Sequence, residues 1–251
     1  IMREARELFY DQDFLEKLDQ NPYLLCFNNY VIDFKNKTHR RGQPDDYISM
    51  CTNIDYVPLD RKKHAKTIDR ITTFMEQLFP IESLRNYMWE HLSSVLIGTM
   101  VNQTFNIYTG SGRNGKSCLV DLMGRGLGDY KGTVPITLIT QKRNSIGSTS
   151  SEIVQLKGVR YAVMQEPSKG DVVNEGIMKE MTAGDPIQGR ALFKDTITFT
   201  PQSTLTACTN TDLIFRSNDD GTWRRIRKCD FMSVFLENPY GDSRFSKEDY
   251  P

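Results

Sequence analysis

The chain has 251 residues, 38% hydrophobic and 25% charged, enough for one large or two small domains with a proper core. Lysine plus arginine and aspartate plus glutamate each total 32, so bulk charge does not announce a nucleic-acid partner, and any such contact falls to local clusters. Five scattered cysteines with no C-x-x-C pair argue for reduced intracellular thiols and against a disulfide framework or zinc, and no apolar run approaches the roughly 20 residues of a membrane helix.

Residues 3–20 are predicted helical, with Leu8, Leu15 and Leu18 on roughly one face. "LLCFNNYVIDF" (Leu24 to Phe34) reads as a hairpin, because two apolar runs flank Asn28-Asn29 and Asn tolerates the positive φ of a tight turn. "YISMCTNIDYVPL" (Tyr47 to Leu59) is a further strand candidate. Residues 1–60 are thus expected to form a small α+β module, whose ordinary role is packing and linkage. Residues 61–103 read as a helical segment. Ile68, Ile71, Met75 and Leu78 make one stripe, ended by Pro80, and Leu84, Met88, Leu92 and Val95 make the next. The basic run "RKKHAK" (Arg61 to Lys66) reads first as a solvated helix face and second as a nucleic-acid contact.

From residue 104 the pattern changes. Phe105 to Thr109, Val134 to Ile139, Val159 to Met164, Leu205 to Thr209 and Ile226 to Phe231 are candidate strands, and Asn174 to Thr182 a helix. Strands alternating with helices predict an α/β fold with a mostly parallel sheet covered on both faces. Ligands in such sheets bind beyond the carboxyl ends of the strands.

One of those ends carries "YTGSGRNGKS", residues 108–117. Gly110, four residues, then Gly115-Lys116-Ser117 is the phosphate-binding loop spacing. The glycines let the backbone fold around an anion, and successive N–H groups form a nest. The candidate nucleotide-binding residues are therefore Gly110, Ser111, Gly112, Arg113, Asn114, Gly115, Lys116, Ser117 and Cys118. The lysine reaches the β- and γ-phosphates and the serine hydroxyl holds Mg²⁺. After the loop, Leu119, Leu122, Met123 and Leu127 fall at helical spacing.

Hydrolysis needs a carboxylate at the tip of another strand of the same sheet. "VRYAVMQEP" supplies Glu166, which would also serve the metal with Ser117. "STLTACTN" ends in Asn210, whose amide can meet the γ-phosphate or orient water. "DDGTWRRIRK" gathers Arg224, Arg225, Arg227 and Lys228, and guanidinium groups suit spreading phosphate charge. Trp223 and Ile226 are expected to anchor that run in the core, with Arg224 and Arg225 alternating faces near the end of a strand.

"GSGRNGKS", "VRYAVMQEP", "MTAGDPIQGRALFKDTITFTPQSTLTACTN" and "DDGTWRRIR", in this order, cover about half of the chain. They resemble the superfamily 3 helicase domain of viral and phage primase–helicases, nearest to those of nucleocytoplasmic large DNA viruses of poxvirus and asfarvirus type. The front section is similar to the domain that precedes the helicase there. The resemblance implies an AAA+ ATPase in residues 104–235, using ATP and Mg²⁺ and assembling as a ring, usually hexameric, on single-stranded or forked DNA with other viral replication proteins. It implies that Lys116 and Ser117 are the Walker A pair, Glu166 the Walker B carboxylate and Asn210 the sensor. Arg224 or Arg225 would be the finger given to a neighbouring subunit, with Arg225 favoured. Lys194, and more weakly Arg190, would lie on a hairpin that grips the DNA backbone. Gln165 departs from the paired acids common in this ATPase type, so metal binding leans on Ser117 and Glu166.

Two rival readings stay open. A nucleotide kinase would use "TWRRIRK" as an arginine-rich lid and need a small acceptor, and a nucleotide-binding scaffold would not turn over. The chain is expected to be an internal fragment with a polar tail or linker at 236–251, not secreted and not in a membrane, acting in host cytoplasm or nucleus at sites of viral replication.

Overall fold

A computed structural model describes residues 10–11, 13–141, 149–165, 170–238 and 241, for Gln165 the backbone only. The front of the chain holds a short helix, α1 (Phe14–Lys17), and three strands, β1 (Leu24–Cys26), β2 (Val31–Asp33) and β3 (Thr38–Arg40). They form one antiparallel sheet in the order β1-β2-β3, with Cys26 opposite Val31 across the Asn28-Asn29 turn, as the hairpin reading expects. The predicted 3–20 helix is cut back: Leu18 already has extended backbone, at φ −62° and ψ 135°, and Leu15 is exposed. Residues 3–9 lie outside the described residues.

Tyr47 to Leu59 forms no strand. The place beside β2 is taken by β3, and side chains satisfy this stretch instead. Asp19 accepts from the Ser49 N–H at 2.8 Å, Asn29 from the Tyr56 N–H at 2.8 Å, and Asp129 from the Cys51 N–H at 3.0 Å.

Two helices follow, α2 (Ala65–Leu78) and α3 (Glu82–Ser94), parted at Pro80. Met75, Leu78, Met88, Leu92 and Val95 are buried, whereas Ile71 stays exposed. The chain then enters β4 (Phe105–Thr109), buried throughout, and runs through the glycine loop into α4 (Lys116–Leu127). Next come β5 (Lys131–Thr133), α5 (Thr137–Thr140), α6 (Ser151–Val154), β6 (Tyr161–Gln165) and α7 (Glu175–Ala183). The Asn174 side chain caps α7 by accepting from the Ile177 N–H. A ribbon of β7 (Ile187–Arg190) and β8 (Thr196–Phe199) precedes β9 (Thr204–Thr209), α8 (Asp220–Trp223) and β10 (Ile226–Asp230).

The expected strand at Val134 to Ile139 is replaced by β5 and α5. Pro135 has no N–H to donate, so pairing stops after the Val134 N–H meets the Val163 carbonyl at 3.0 Å.

The five-stranded sheet has the order β10-β4-β9-β6-β5, and every pairing in it is parallel. A parallel sheet needs both faces covered, so its strands carry apolar side chains on both. Phe105, Ile107, Met164, Leu205 and Ala207 face a core completed by α5, α7 and the ribbon. Tyr108, Tyr161, Val163 and Phe231 belong to a second core with α2, α3 and α4. In that second core the His91 ring Nε2 lies 2.8 Å from the Tyr108 hydroxyl, and the Tyr87 hydroxyl donates to Asn106 at 2.6 Å. Both contacts fasten α3 to the strand that carries the loop.

The front module is joined to the sheet through Arg160. This side chain is buried immediately before β6. Its guanidinium donates to the Leu24 and Leu96 carbonyls and lies 4.9 Å from the centre of the Tyr130 ring. Burial pushes its pKa down to about 10. No helix among the described residues is long and apolar enough to cross a membrane.

Candidate functional site

The site is built on β4 and its neighbour β9. Every residue of β4 is buried, so the chain leaves the sheet at Gly110 from a fixed direction. The loop then turns through three left-handed residues, Gly112 at φ +100°, Arg113 at +52° and Gly115 at +80°. Such a succession aims backbone N–H groups into one concavity, and α4 adds the N–H groups of its first turn. Packing as well as conformation demands glycine here. A Cβ on Gly110 would stand 1.9 Å from Asn114 Nδ2, and one on Gly115 would stand 2.3 Å from Leu78 Cδ2.

Lys116 is only 8% exposed. Its ammonium donates to the Gly110 carbonyl at 2.8 Å, Asn210 Oδ1 at 3.1 Å and Asn114 Oδ1 at 3.2 Å. Burial lowers its pKa from the ordinary lysine value. The structure therefore brings together Gly110, Asn114, Lys116 and Asn210, the last from a strand end 94 residues further along the chain. Asn114 turns its oxygen to the ammonium, and its buried Nδ2 has no hydrogen-bond partner. An unsatisfied buried donor, a buried cation and a cradle that excludes a Cβ form the donor set a polyphosphate needs. Ser111, Arg113, Ser117 and Cys118 are exposed around this group.

β9 separates β4 from β6, and Gln165, the last residue of β6, is in register with Cys208. That strand end is thus two residues short of the level of Asn210. Glu166 lies outside the described residues. Cys208, which the sequence does not single out, is close enough to Lys116 to feel its charge, although burial still raises the thiol to about 11. The segment after β10 was also not singled out. Its Phe235 N–H donates to the Arg113 carbonyl at 2.7 Å. A cleft of about 670 Å³ opens beside the loop, lined by Phe74, Arg113, Gly115, Cys118 and residues 235–238.

The arginine run stands elsewhere. Arg224 and Arg225 precede β10, and the Arg225 carbonyl accepts from the Phe105 N–H at 2.8 Å. They sit at the amino edge of the sheet, whereas the glycine loop leaves its carboxyl edge. Five residues of strand, roughly 16 Å, lie between. They therefore cannot form a lid over this chain's own loop. The expected alternation also fails, because both residues follow α8 and are not in a strand. Both meet one acceptor, Gln103 Oε1, at 2.6 Å for Arg224 and 3.3 Å for Arg225. Arg225 is 8% exposed and also donates to the Gly221 carbonyl, while Arg224 is exposed. Trp223, expected as an anchor, is 49% exposed and donates to the Ser217 carbonyl, leaving Ile226 to pack on the core. Arg190 and Lys194 lie together on the ribbon, where Arg190 Nε donates to the Lys194 carbonyl at 3.0 Å.

Residues 1–80 match the family described as "D5 N terminal like". Residues 108–225 match a family described as of unknown function, DUF5906. The chain is 39% identical over 251 residues to "Putative helicase L207/L206" of Acanthamoeba polyphaga mimivirus, covering 100% of this chain and 26% of that protein. It is 30% identical over 240 residues to "Putative helicase 121R" of Invertebrate iridescent virus 3, covering 94% and 25%. It is 28% identical over 257 residues to "Putative primase C962R" of African swine fever virus, covering 100% and 26%. The chain thus spans about a quarter of the length of these relatives. Among solved structures, the apo NrS-1 C terminal region has a similar fold, with a TM-score of 0.52 at 11% identity over 71% of this chain and 41% of that one. The chain is therefore a homologue of the helicase- and primase-named proteins of large DNA viruses, with a D5 N-terminal-like segment at its front.

Proposed function

We propose that this chain is the motor part of a viral replication helicase, an ATPase of superfamily 3 type that moves along single-stranded DNA as a ring. The observation that carries the reading is the meeting of Lys116, Asn114 and Asn210 in a glycine cradle at the carboxyl edge of the parallel sheet. Lys116 neutralises the β- and γ-phosphates, and the loop N–H groups orient them. Asn210, on the strand between the loop and β6, holds the γ-phosphate or the attacking water. Ser117 and Glu166 are the residues to hold Mg²⁺, which would supply charge neutralisation at the phosphates.

The remaining charge in the transition state calls for an arginine, and Arg224 and Arg225 of this chain lie at the opposite edge of the sheet from its own loop. An arginine of a neighbouring copy fits that need, which is the reason to propose a ring, hexameric by resemblance. Exposure makes Arg224 the better finger and gives Arg225 the role of fixing the turn, reversing the sequence preference. Lys194 and Arg190 on the ribbon are proposed to contact DNA phosphates.

Steady-state ATP turnover with and without single-stranded DNA tests the reading. A motor is stimulated by DNA and silenced by Lys116→Ala. Turnover that requires a small acceptor identifies a phosphotransferase, and no turnover at all identifies a binding scaffold.

A further inference from the structure

The ribbon of β7 and β8 stands apart from the main sheet, and its base is fixed. Ile187 and Phe199 are buried in the core. A Cβ on Gly189 would come within 2.9 Å of Val154 and 3.1 Å of Ile153, so the ribbon lies tight on α6. The Ser150 N–H donates to the Arg190 carbonyl at 2.8 Å, and Ser150 Oγ accepts from the Arg190 N–H at 2.9 Å. The tip is braced as well, by the Lys194 N–H on the Ala191 carbonyl at 3.1 Å and by Arg190 Nε on the Lys194 carbonyl.

On this firm mount sits Phe193, 91% exposed, the most exposed of the described large hydrophobic residues. Its φ is +59°, a left-handed conformation that bulky side chains avoid. Neither the exposure nor the backbone favours the fold, and among the described residues no burial of the ring compensates. Unfavourable backbone held by its surroundings points to use. The neighbours define the use. Lys194 beside it is exposed, and a bare ring next to a cation is the pairing with which proteins hold single strands. The other exposed apolar group at the tip is Leu192, and two side chains offer far less than the roughly 800 Å² per partner of a stable protein interface.

We propose that Phe193 is a base-stacking residue for single-stranded nucleic acid: one unpaired base lies on its ring while Lys194 meets the adjacent phosphate. The proposal rests on the motor reading and extends it, because phosphate contacts alone would leave the bases untouched. Stacking accepts any base, which suits travel along an arbitrary sequence.

The test is fluorescence anisotropy of labelled oligo(dT) against the full chain and its Phe193→Ala, Phe193→Trp and Lys194→Ala variants over a range of salt. Phe193→Ala is expected to bind roughly 5- to 100-fold more weakly, the scale of one lost base–aromatic stack, with an unchanged salt slope because no charge is removed. Phe193→Trp retains affinity, and its emission is quenched by the oligonucleotide. On an oligonucleotide of abasic sites the Phe193→Ala deficit disappears. Lys194→Ala flattens the salt slope instead. Wild-type affinity of Phe193→Ala, an equal deficit on abasic DNA, or a loss of assembly in place of a loss of binding overturns the stacking role while the motor reading stands. Failure of the wild-type chain to bind oligo(dT) overturns both.

Discussion

Replacing Gly115 by alanine perturbs the loop without removing any group that contacts phosphate. Gly115 has φ +80°, and an L-residue in that region costs roughly 1–2 kcal/mol. The new methyl would also stand 2.3 Å from Leu78 Cδ2 and 3.3 Å from Phe235 Cε2. Leu78 is completely buried and cannot swing away, so overpacking adds about 1–3 kcal/mol. Together the two effects remove about 2–5 kcal/mol from a folding margin of about 5–15 kcal/mol. The assay is the urea midpoint of unfolding, with Leu78→Ala as companion. Leu78→Ala alone costs about 2–5 kcal/mol through its cavity. In the double variant the methyl fills part of that cavity, so only the backbone cost of the alanine remains and the two changes couple favourably by about 1–3 kcal/mol. Additivity within roughly 0.5 kcal/mol, or wild-type stability of Gly115→Ala, would refute the argument that α2 and the loop are packed as one piece.

Lys116→Ala is expected to abolish ATP turnover, and measurable strand separation by that variant would refute the assignment of this loop. Asn210→Asp places a carboxylate 3.1 Å from the Lys116 ammonium; the resulting ion pair competes with phosphate and should slow turnover by roughly 10²-fold, the scale of losing one oriented transition-state contact, while unchanged kcat and KM would remove Asn210 from the chemistry. Burial holds His91 at a pKa of about 4, against an ordinary value of 6.5. The unfolded chain therefore takes up its proton first, so this contribution to stability is complete above pH 6.5 and is lost as pH falls toward 4, by roughly 3 kcal/mol. His91→Gln should flatten urea midpoints measured across that window, and an unaltered pH slope would show that another group titrates. Arg225→Ala should lower stability because its buried contacts are lost, whereas Arg224→Ala should leave the fold intact and stop hydrolysis. Mixing Arg224→Ala with Lys116→Ala protein should restore part of the activity, and no recovery in demonstrated mixed rings would rule out catalysis across subunits by Arg224.

The glycine loop stood out as a pattern because its residue types recur at short, fixed spacing, and α2, α3 and α4 were legible because their apolar stripes match one period. β3 escaped notice because Thr38, His39 and Arg40 are polar, and only pairing with β2 makes them a strand. The Val134 to Ile139 reading counted apolar residues and overlooked what Pro135 does to a ladder. Placement across the sheet was hidden as well. Nothing in "TWRRIRK" says that it stands at the opposite edge from the loop, and nothing near Gln103 foretells that two arginines share its oxygen. Leu78 and Phe235 reach the loop from 37 residues before and 120 residues after Gly115, contacts that no local pattern records.

Arg160 has a consequence for how the molecule comes apart. Its buried guanidinium donates through its two terminal nitrogens to one carbonyl from the front module and one from the segment after α3, with no carboxylate among those contacts, while its Nε has no hydrogen-bond partner. Peeling the front module away would break the guanidinium's bond to the Leu24 carbonyl and open that side of Arg160 to water, so the contact would be lost together with the surface it covers. The Gly98 N–H on the Pro22 carbonyl and the Gln202 amide on the Asp19 carbonyl would be lost in the same step. The front module and the sheet are therefore one cooperative unit. They should melt in a single transition and gain protection from hydrogen exchange together, and a cut near residue 60 would leave two halves that depend on each other to stay folded.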